Sequence, residues 1–300
     1  MKLSEFDNKM PAELIAEHPA KHRDEARLLV LHRKSGDIEH RIFKDVLVEP
    51  ARKIRIGNKL YFGLDDSMVA EVIDNTTSRG RTLRFLNDSE HDAFKANLLA
   101  LGRTPLPTYI KREVEPEDEE NYQTLFATKE GAVVAPAAGM HFSRELLRRM
   151  EIRDIQRDFL TLHIGLGVFR KIDVEDLSKH RQDSEPMEVT EALMEHVNSL
   201  RDAGHKICAV GTSVLRAMET TVGMNGHIKA YKGWTNRFIF PPYECTTCDA
   251  LITNFHLPYS TMLMATAAFG GYEPVMNAYK VAIEEKYQFG CYGDAMLIVD

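Results

Sequence analysis

Three histidines lie at the ends of short apolar runs, where the chain begins to turn, and their side chains are suited to proton transfer. His141, His163 and His256 occupy these positions, and imidazole titrates near neutral pH without help from its surroundings. A single histidine at such a point usually has a structural role, but three in equivalent positions favour a shared site. Asp294 lies in another turn, where a carboxylate could raise the basicity of a histidine. We therefore predict His141, His163, His256 and Asp294 as catalytic residues.

Glycines and small polar residues accompany these histidines and indicate a surface that a ligand can approach closely. Glycine has no side chain to block the approach, and unpaired amides at a helix start attract anions and carbonyl oxygens. Neither Gly165-Leu166-Gly167 nor Gly211-Thr212-Ser213 completes a GxGxxG dinucleotide fingerprint or a GxxxxGK[ST] phosphate loop. The predicted substrate-binding residues are Gly139, Gly165, Gly167, Gly211, Thr212, Arg216 and Asn254.

Two other chemistries have less support from the sequence. Cys245-x-x-Cys248 has only two distant cysteines with which to complete a zinc site, so we predict no metal. Ser143, His256 and Asp294 could form a hydrolase triad, but no G-x-S-x-G elbow surrounds Ser143. A hydrolase is therefore the weaker alternative.

The elements that must position these residues are strands and helices in alternation. Leu251–Met264 shows the pattern: a short buried strand, a polar turn holding Asn254 and His256, and a helix that Ser260 or Thr261 can cap. In an open α/β sheet, turns leaving the carboxyl ends of strands line the ligand crevice, although polar turn residues also commonly satisfy backbone groups. The predicted strands here are 133–136, 159–164, 206–210, 250–253 and 295–299.

The first third of the chain has a different pattern of apolar and polar residues. Arg27–Phe43 carries a hairpin signal at Lys34-Ser35-Gly36-Asp37, and Val46–Phe85 contains several short strands, typical of a small barrel or sandwich. A helix is predicted over 88–101, and the acidic run 113–120 is predicted to be a solvated face. Beyond this acidic run, strands and helices alternate, which is typical of an α/β domain.

Composition excludes several classes of protein. The chain has 300 residues, a formal net charge of −7 and a pI of about 6.0, which argues against sequence-independent coating of nucleic acid. Basic clusters at 51–59 and at Arg144, Arg148 and Arg149 could still contact phosphates, although solvated surface is the more ordinary role. The N-terminus has no apolar signal region and no run is long enough for a membrane span. We expect a cytoplasmic protein with reduced cysteines.

Several strings together resemble one family from end to end. They are HPAKHRDEARLLVLHRKSGDIEH (18–40), TPLPTYI (104–110), YQTLFA (122–127), APAAGMHFS (135–143), TLHIGLGVFR (161–170), AVGTSVLRAME (209–219), LITNFHLPYST (251–261) and YGDAMLI (292–298). The chain closely resembles the S-adenosylmethionine:tRNA ribosyltransferase-isomerase family. The resemblance implies a large α/β sheet domain formed by residues 1–45 and 103–300, with residues 46–102 as a small inserted antiparallel β-barrel domain. This architecture agrees with the changes of residue pattern at Val46 and after Leu101.

The resemblance also implies a reaction and its partners. The family moves the ribosyl part of S-adenosylmethionine onto 7-aminomethyl-7-deazaguanine in a tRNA anticodon, releasing adenine and methionine in queuosine biosynthesis. S-adenosylmethionine is a consumed substrate, so no cofactor is expected, and the implied partner is the anticodon arm bound by a monomer. A base must remove the C5′ proton, for which the three histidines are candidates. Asn254 and Asp294 could hold adenine or ribose, and Arg216 the methionine carboxylate.

The sequence departs from the family pattern in identifiable places. Between Asp45 and Val46 the family normally has a longer stretch that includes the first strands of the barrel. Either this chain lacks that element or the sequence omits it, and omission is favoured because a partial barrel would expose strand edges. Ala138 and Asp183 replace the usual threonine and histidine, and GTSVLR replaces GTTSVR. A catalytically silent relative that binds tRNA or S-adenosylmethionine therefore remains the alternative to an enzyme.

Overall fold

The computed structural model describes residues 1–21, 28–29, 45–46, 53–63, 66–75, 80–86, 91–169 and 172–299. The strands are β1 Leu28–Leu29, β2 Asp45–Val46, β3 Lys59–Phe62, β4 Met68–Asn75, β5 Arg81–Phe85, β6 Thr161–Leu162, β7 Glu185–Val189, β8 Cys208–Val210, β9 Tyr231–Thr235, β10 Ala250–Asn254 and β11 Ala295–Ile298. The helices are α1 His91–Leu101, α2 Asp118–Asn121, α3 Ala137–Met140, α4 Arg144–Ile152, α5 Glu191–Asp202, α6 Thr212–Thr221, α7 Thr261–Gly270 and α8 Tyr272–Glu284. The predicted hairpin over 27–43, apart from β1, lies outside the described residues.

A four-stranded mixed sheet forms the centre of the main core. Its strand order is β1-β11-β10-β8, with β10 antiparallel to β11 and parallel to β8. Leu251 and Met296 are fully buried, because β10 and β11 are short apolar runs covered on both faces. Asn254 was predicted in the following turn, but it is the last residue of β10 and pairs with Ala295.

A second, three-stranded sheet differs from the prediction that all the site turns follow strands of one sheet. Its order is β6-β7-β9 and both pairings are antiparallel. The segment ending at His163 therefore joins a different sheet from β8 and β10, because Thr161 and Leu162 pair with β7. The prediction of one large sheet is wrong in this respect, because the described part of the chain is mixed α/β with several small sheets.

A third sheet lies in the part of the chain predicted to be inserted. The strands follow the order β2-β5-β4-β3, all antiparallel, around a small core of Ala70, Val72 and Leu83. A register shift between Val72 and Asp74 bends β4, as expected of a bulge. The described residues thus form one antiparallel sheet. The closed barrel and the domain bounds 46–102 stay predictions.

Helix starts follow the sequence signals closely. The hydroxyls of Ser143 and Ser260 accept hydrogen bonds from the amides of Leu146 and Leu263, at 3.0 and 3.2 Å, which confirms both predicted caps. The strand predicted over 133–136 is wrong, because this segment bends at Val133 and Val134 and ends in Pro136, the N-cap of α3. Within the described part of the chain, every helix is too short or too polar to cross a membrane.

Candidate functional site

His141 and Asn254 meet where α3 ends against the last residue of β10. Nε2 of His141 lies 3.2 Å from Oδ1 of Asn254, and Nδ2 of Asn254 donates to the carbonyl of Gly290 at 3.0 Å. Since that amide nitrogen faces a carbonyl, Oδ1 is the acceptor for His141 and Nε2 carries the imidazole proton. The lone pair of the neutral ring is therefore on Nδ1, which becomes the atom able to take up a proton.

Asp294 acts on His141 through its charge. It is 5% exposed, and its Oδ2 accepts the amide of Gln288 at 2.7 Å. Burial lowers the pKa of His141 below its ordinary value of 6.5, while the hydrogen bond to Asn254 and the charge of Asp294 act in the opposite direction. His141 is consequently neutral at physiological pH but retains two influences that favour protonation.

The turn that carries Asp294 is anchored by a buried carboxylate. Asp118 is 1% exposed and accepts two hydrogen bonds from Arg112, at 2.6 and 2.7 Å, and one from the Tyr292 hydroxyl at 2.8 Å. These contacts hold the pKa of Asp118 well below its usual range, with the Arg112 bond as the largest cause. The prediction that 113–120 is a solvated face is therefore wrong at Asp118.

Replacing Tyr292 with phenylalanine should lower the free energy of unfolding by about 1.5–3 kcal/mol, the usual worth of a hydrogen bond to a charged group. The Asp118 carboxylate would lose one of its donors while remaining buried. Urea unfolding measures the change. The matched control is Tyr61→Phe, at a position 58% exposed, where the change should be within about 0.5 kcal/mol; equal effects would contradict the anchoring role.

His256 lies beside the first site but makes different contacts. Its Nε2 is 2.7 Å from the Thr253 hydroxyl, and its backbone amide donates to the Tyr279 hydroxyl at 2.9 Å. Burial lowers the pKa of His256 to about 3. The imidazole is therefore neutral and a much weaker base than an exposed histidine.

Acidification should destabilise the protein through His256. Between the ordinary pKa of about 6.5 and the folded value of about 3, the unfolded state binds the proton more readily, so stability falls as pH falls. The His256 contribution should amount to about 1–2 kcal/mol between pH 7.5 and pH 5. Unfolding at both pH values should show this loss reduced in His256→Gln but unchanged in His205→Gln, which alters an exposed histidine. A full pH response in His256→Gln would refute the assignment.

The turn after β6 is held by a buried ion pair. Oε1 of Glu185 accepts the amide of Gly165 at 2.7 Å, and Oε2 accepts a hydrogen bond from Nη2 of Arg216. The two charged side chains are 3% and 15% exposed, and desolvation lowers the pKa of Arg216 to about 10. In this structure Arg216 thus contacts a protein carboxylate, and α6 is tied to the glycine turn.

Gly167 is closely approached by the side chain of Asp183. A Cβ at Gly167 would lie 2.5 Å from Oδ2 of Asp183, so a larger residue there would require the Asp183 side chain to move. A small cavity of about 40 Å³, with room for a few water molecules, lies between this turn and the start of α7; its lining includes Asp183, His180, Tyr259 and Ser260. The two turns therefore face each other across this space.

Gly211 lies against α3, and Gly139 lies against Thr124. Gly211 has φ +103° at the start of α6, and a Cβ there would lie 3.9 Å from Cβ of Ala138. At Gly139 a Cβ would lie 3.0 Å from Cγ2 of Thr124. Thr212 is the first residue of α6 and is half-buried. These two glycines thus allow neighbouring segments to pack closely around His141.

The structure does not bring together all the predicted catalytic residues. His141, Asn254 and Asp294 form one cluster, with His256 two residues beyond Asn254, whereas His163 leaves the three-stranded sheet beside Gly165. The amide of Val133, four residues before α3, donates to the carbonyl of Ile164 at 2.9 Å. This bond places the His163 turn next to the segment that leads to His141.

The two alternative chemistries gain no support. Ser143 caps α4, His256 contacts Thr253, and Asp294 accepts the Gln288 amide, so these side chains do not form a triad. Cys248 is buried with its Sγ 3.6 Å from Sδ of Met218. No cluster of three or more metal-binding side chains occurs among the residues that the structure describes.

Comparison with known proteins decides the family. A family described as "Queuosine biosynthesis protein" matches residues 3–48 and 44–298. The chain belongs to this family. S-adenosylmethionine:tRNA ribosyltransferase-isomerases from Parabacteroides distasonis and Bacteroides fragilis are 58% and 55% identical to it, with all of each chain covered. A crystal structure of S-adenosylmethionine tRNA ribosyltransferase from Thermotoga maritima superposes with a TM-score of 0.55 at 27% identity, covering 98% of this chain and 100% of that one.

The same comparison locates the missing stretch of this queuosine biosynthesis protein. The alignment to the Parabacteroides relative spans 349 positions, 49 more than the 300 residues of this chain. The two segments that match the family overlap at residues 44–48, and this overlap includes the junction of Asp45 with Val46. The relative therefore has about 49 residues that this sequence lacks. The overlap of the two matched segments indicates that they belong near the Asp45–Val46 junction.

Two residues of the site, Glu185 and Asp118, were not identified from the sequence. Glu185 shares one side of β7 with Met187 and Val189, which are both 2% exposed. A carboxylate on the buried side of an alternating strand signals a buried partner, and this pattern could have identified Glu185. Asp118 carried no comparable signal, since it lies within an acidic run.

Proposed function

We propose that this chain is a tRNA-modifying transferase-isomerase that consumes S-adenosylmethionine. It moves the ribosyl moiety onto 7-aminomethyl-7-deazaguanine in tRNA and releases adenine and methionine, with no resident cofactor. The observation that carries this proposal is the 58% identity, over the full length of both chains, to a protein named for this activity. The geometry around His141 supports the assignment of roles.

His141 is the proposed base for the C5′ proton next to the sulfonium. Its Nδ1 holds the lone pair because Nε2 faces Oδ1 of Asn254 at 3.2 Å, and the charge of Asp294 favours the protonated product. Burial lowers the pKa of His256 to about 3, whereas the hydrogen bond to Asn254 and the charge of Asp294 favour protonation of His141. His256 instead fixes the end of β10 through Thr253 and Tyr279.

The other predicted residues have supporting roles in this proposal. Asn254 orients His141, since both ends of its amide already have protein partners. Arg216 shapes the Gly165 turn through Glu185, in place of the methionine carboxylate contact expected from its charge. His163, next to that turn, is the candidate acid for the departing adenine. Gly167 and Thr212 would line the approach of the substrate, whereas Gly139 and Gly211 are buried and act through close packing.

Further parts of the proposal concern partners and location. We infer binding of the tRNA anticodon arm by a cytoplasmic monomer, and a barrel completed by residues absent between Asp45 and Val46. Arg144 and Arg148 are exposed on α4, whereas Arg149 pairs with Glu145 at 3.0 Å. Exposed arginines beside the His141 turn suit contact with RNA phosphates.

The decisive assay measures adenine and methionine released from S-adenosylmethionine. Equal amounts should appear only when tRNA carrying the aminomethyl precursor is supplied, and unmodified tRNA is the control. The gene should first be sequenced across Asp45–Val46, because restored residues favour the enzyme and a true gap favours a silent binder. No release by the intact chain would reject the transferase and leave the binding protein.

A further inference from the structure

Trp234 is the single tryptophan of the chain, and its side chain faces solvent. It lies on β9, an edge strand, and is 63% exposed. Its neighbours on the opposite side of the three-stranded sheet are buried: Leu162 is 1% exposed and Met187 is 2% exposed. The outward position of Trp234 thus follows from strand alternation, and the core is complete without it.

Strand register puts Trp234 on the same face of this sheet as His163. Trp234 pairs with Pro186, and the amide of His163 donates to the Pro186 carbonyl at 2.8 Å. Paired residues in antiparallel strands direct their side chains to the same side. The cross-strand ion pair between Lys232 and Glu188, at 2.7 Å, belongs to this face and supports the register. Two strand spacings, about 10 Å, separate Trp234 from His163.

The backbone of Trp234 is fixed although its ring is exposed. The Tyr231 hydroxyl accepts the Trp234 amide at 3.2 Å and donates to the Trp234 carbonyl at 3.1 Å. Tyr231 reaches this position across Gly233, where a Cβ would lie 2.6 Å from the tyrosine hydroxyl. An exposed indole on a fixed strand loses little freedom when a ligand stacks on it.

Cations border the same face. Lys232 and Lys129 both contact Glu188, at 2.7 and 3.0 Å, which leaves one positive charge in excess within this group. The Lys232 side chain is 75% exposed. An aromatic ring with an adjacent excess of positive charge is the arrangement that binds unpaired nucleotides, through base stacking and phosphate attraction.

We propose that the Trp234 face, formed by Pro186, Glu188, Lys232 and Trp234, stacks an unpaired base of the RNA loop that neighbours the modified nucleotide. This inference rests on the proposed function, because it identifies where the RNA substrate of that reaction is held. The stacked base would lie about 10 Å, or two strand spacings, from His163, the candidate acid of the proposed reaction. RNA is the occupant because the face combines a π surface with positive charge.

Tryptophan fluorescence tests the proposal directly, since one residue gives the whole signal. The full chain is titrated with an RNA stem-loop of the anticodon arm, while binding is followed independently by the anisotropy of a labelled RNA. Emission should be quenched in parallel with binding, and S-adenosylmethionine alone should leave it unchanged. Unchanged emission at saturating RNA would overturn the proposal and direct attention to a protein partner for this face.

Substitutions provide the second arm of the experiment. Trp234→Ala should raise the Kd for the stem-loop by about tenfold to a hundredfold, as expected for loss of one stacked base, and Trp234→Phe should recover most of the affinity. The matched control is Met224→Ala, at a fully exposed apolar residue that is not one of the four residues of the Trp234 face, with Kd unchanged. A Kd within twofold of the parent in Trp234→Ala would reject the proposal. Binding is measured without turnover, so an inactive chain would count against the transferase alone.

Discussion

Replacing His141 with glutamine is expected to lower the single-turnover rate of adenine release by about 100-fold to 10,000-fold, the range for loss of a positioned general base. Glutamine retains a group that can face Oδ1 of Asn254, so the packing at the end of α3 should persist. What it removes is the lone pair on Nδ1. Rapid-quench measurements with saturating S-adenosylmethionine and precursor-bearing tRNA separate this chemical step from substrate binding.

The pH dependence and a neighbouring variant distinguish a base from a structural residue. A base must be unprotonated, and burial lowers the pKa of His141 below 6.5, so the rate should stay level down to pH 6.5 and fall only at lower pH. His256→Gln should retain most of the rate near neutral pH. Equal losses in the two variants, or a His141→Gln enzyme as fast as the parent, would transfer the role to another residue.

Replacing Arg216 with methionine is expected to cost about 3–5 kcal/mol in the free energy of unfolding, because it leaves a buried carboxylate without its partner. Glu185 is 3% exposed on its side chain and could not recover hydration without moving the Gly165 turn. Changing both residues to methionine should restore much of the loss, since the charge and its partner then disappear together. Urea unfolding of the single and double variants measures both effects.

An exposed ion pair provides the matched control for this experiment. Lys95 and Glu130 are 42% and 77% exposed, so Lys95→Met should cost less than about 1 kcal/mol. The Arg216→Met variant should also lose turnover at permissive temperature through displacement of the glycine turn. If it is no less stable than Lys95→Met, the buried pair does not hold that turn.

The parts of the fold that sequence predicted best are those fixed by local chemistry. The short apolar run at 250–253 and the hydroxyl of Ser260 gave β10 and the start of α7, because burial and helix capping depend on neighbours in the chain. His141, Asn254 and Asp294 were identified by residue type at turns, and the structure brings them together. Their catalytic roles stay predictions until activity is measured.

Long-range pairing was beyond the sequence. Leu162 and its neighbours could have joined the central sheet by hydrophobicity alone, and only the three-dimensional register with β7 places His163 on another sheet. Asp118 was taken for surface because its neighbours in sequence are acidic, yet Arg112 and Tyr292 bury it. Both errors concern partners distant along the chain, which local patterns do not encode.

Covalent labelling with a photoreactive azido analogue of S-adenosylmethionine tests most directly whether these separate turns form one substrate site. The label should map by peptide mass spectrometry to segments 135–143, 251–256 or 290–295, and an excess of S-adenosylmethionine should suppress it. Labelling confined to the small sheet at 59–86, or undiminished by competing S-adenosylmethionine, would contradict a site built around His141 and Asn254.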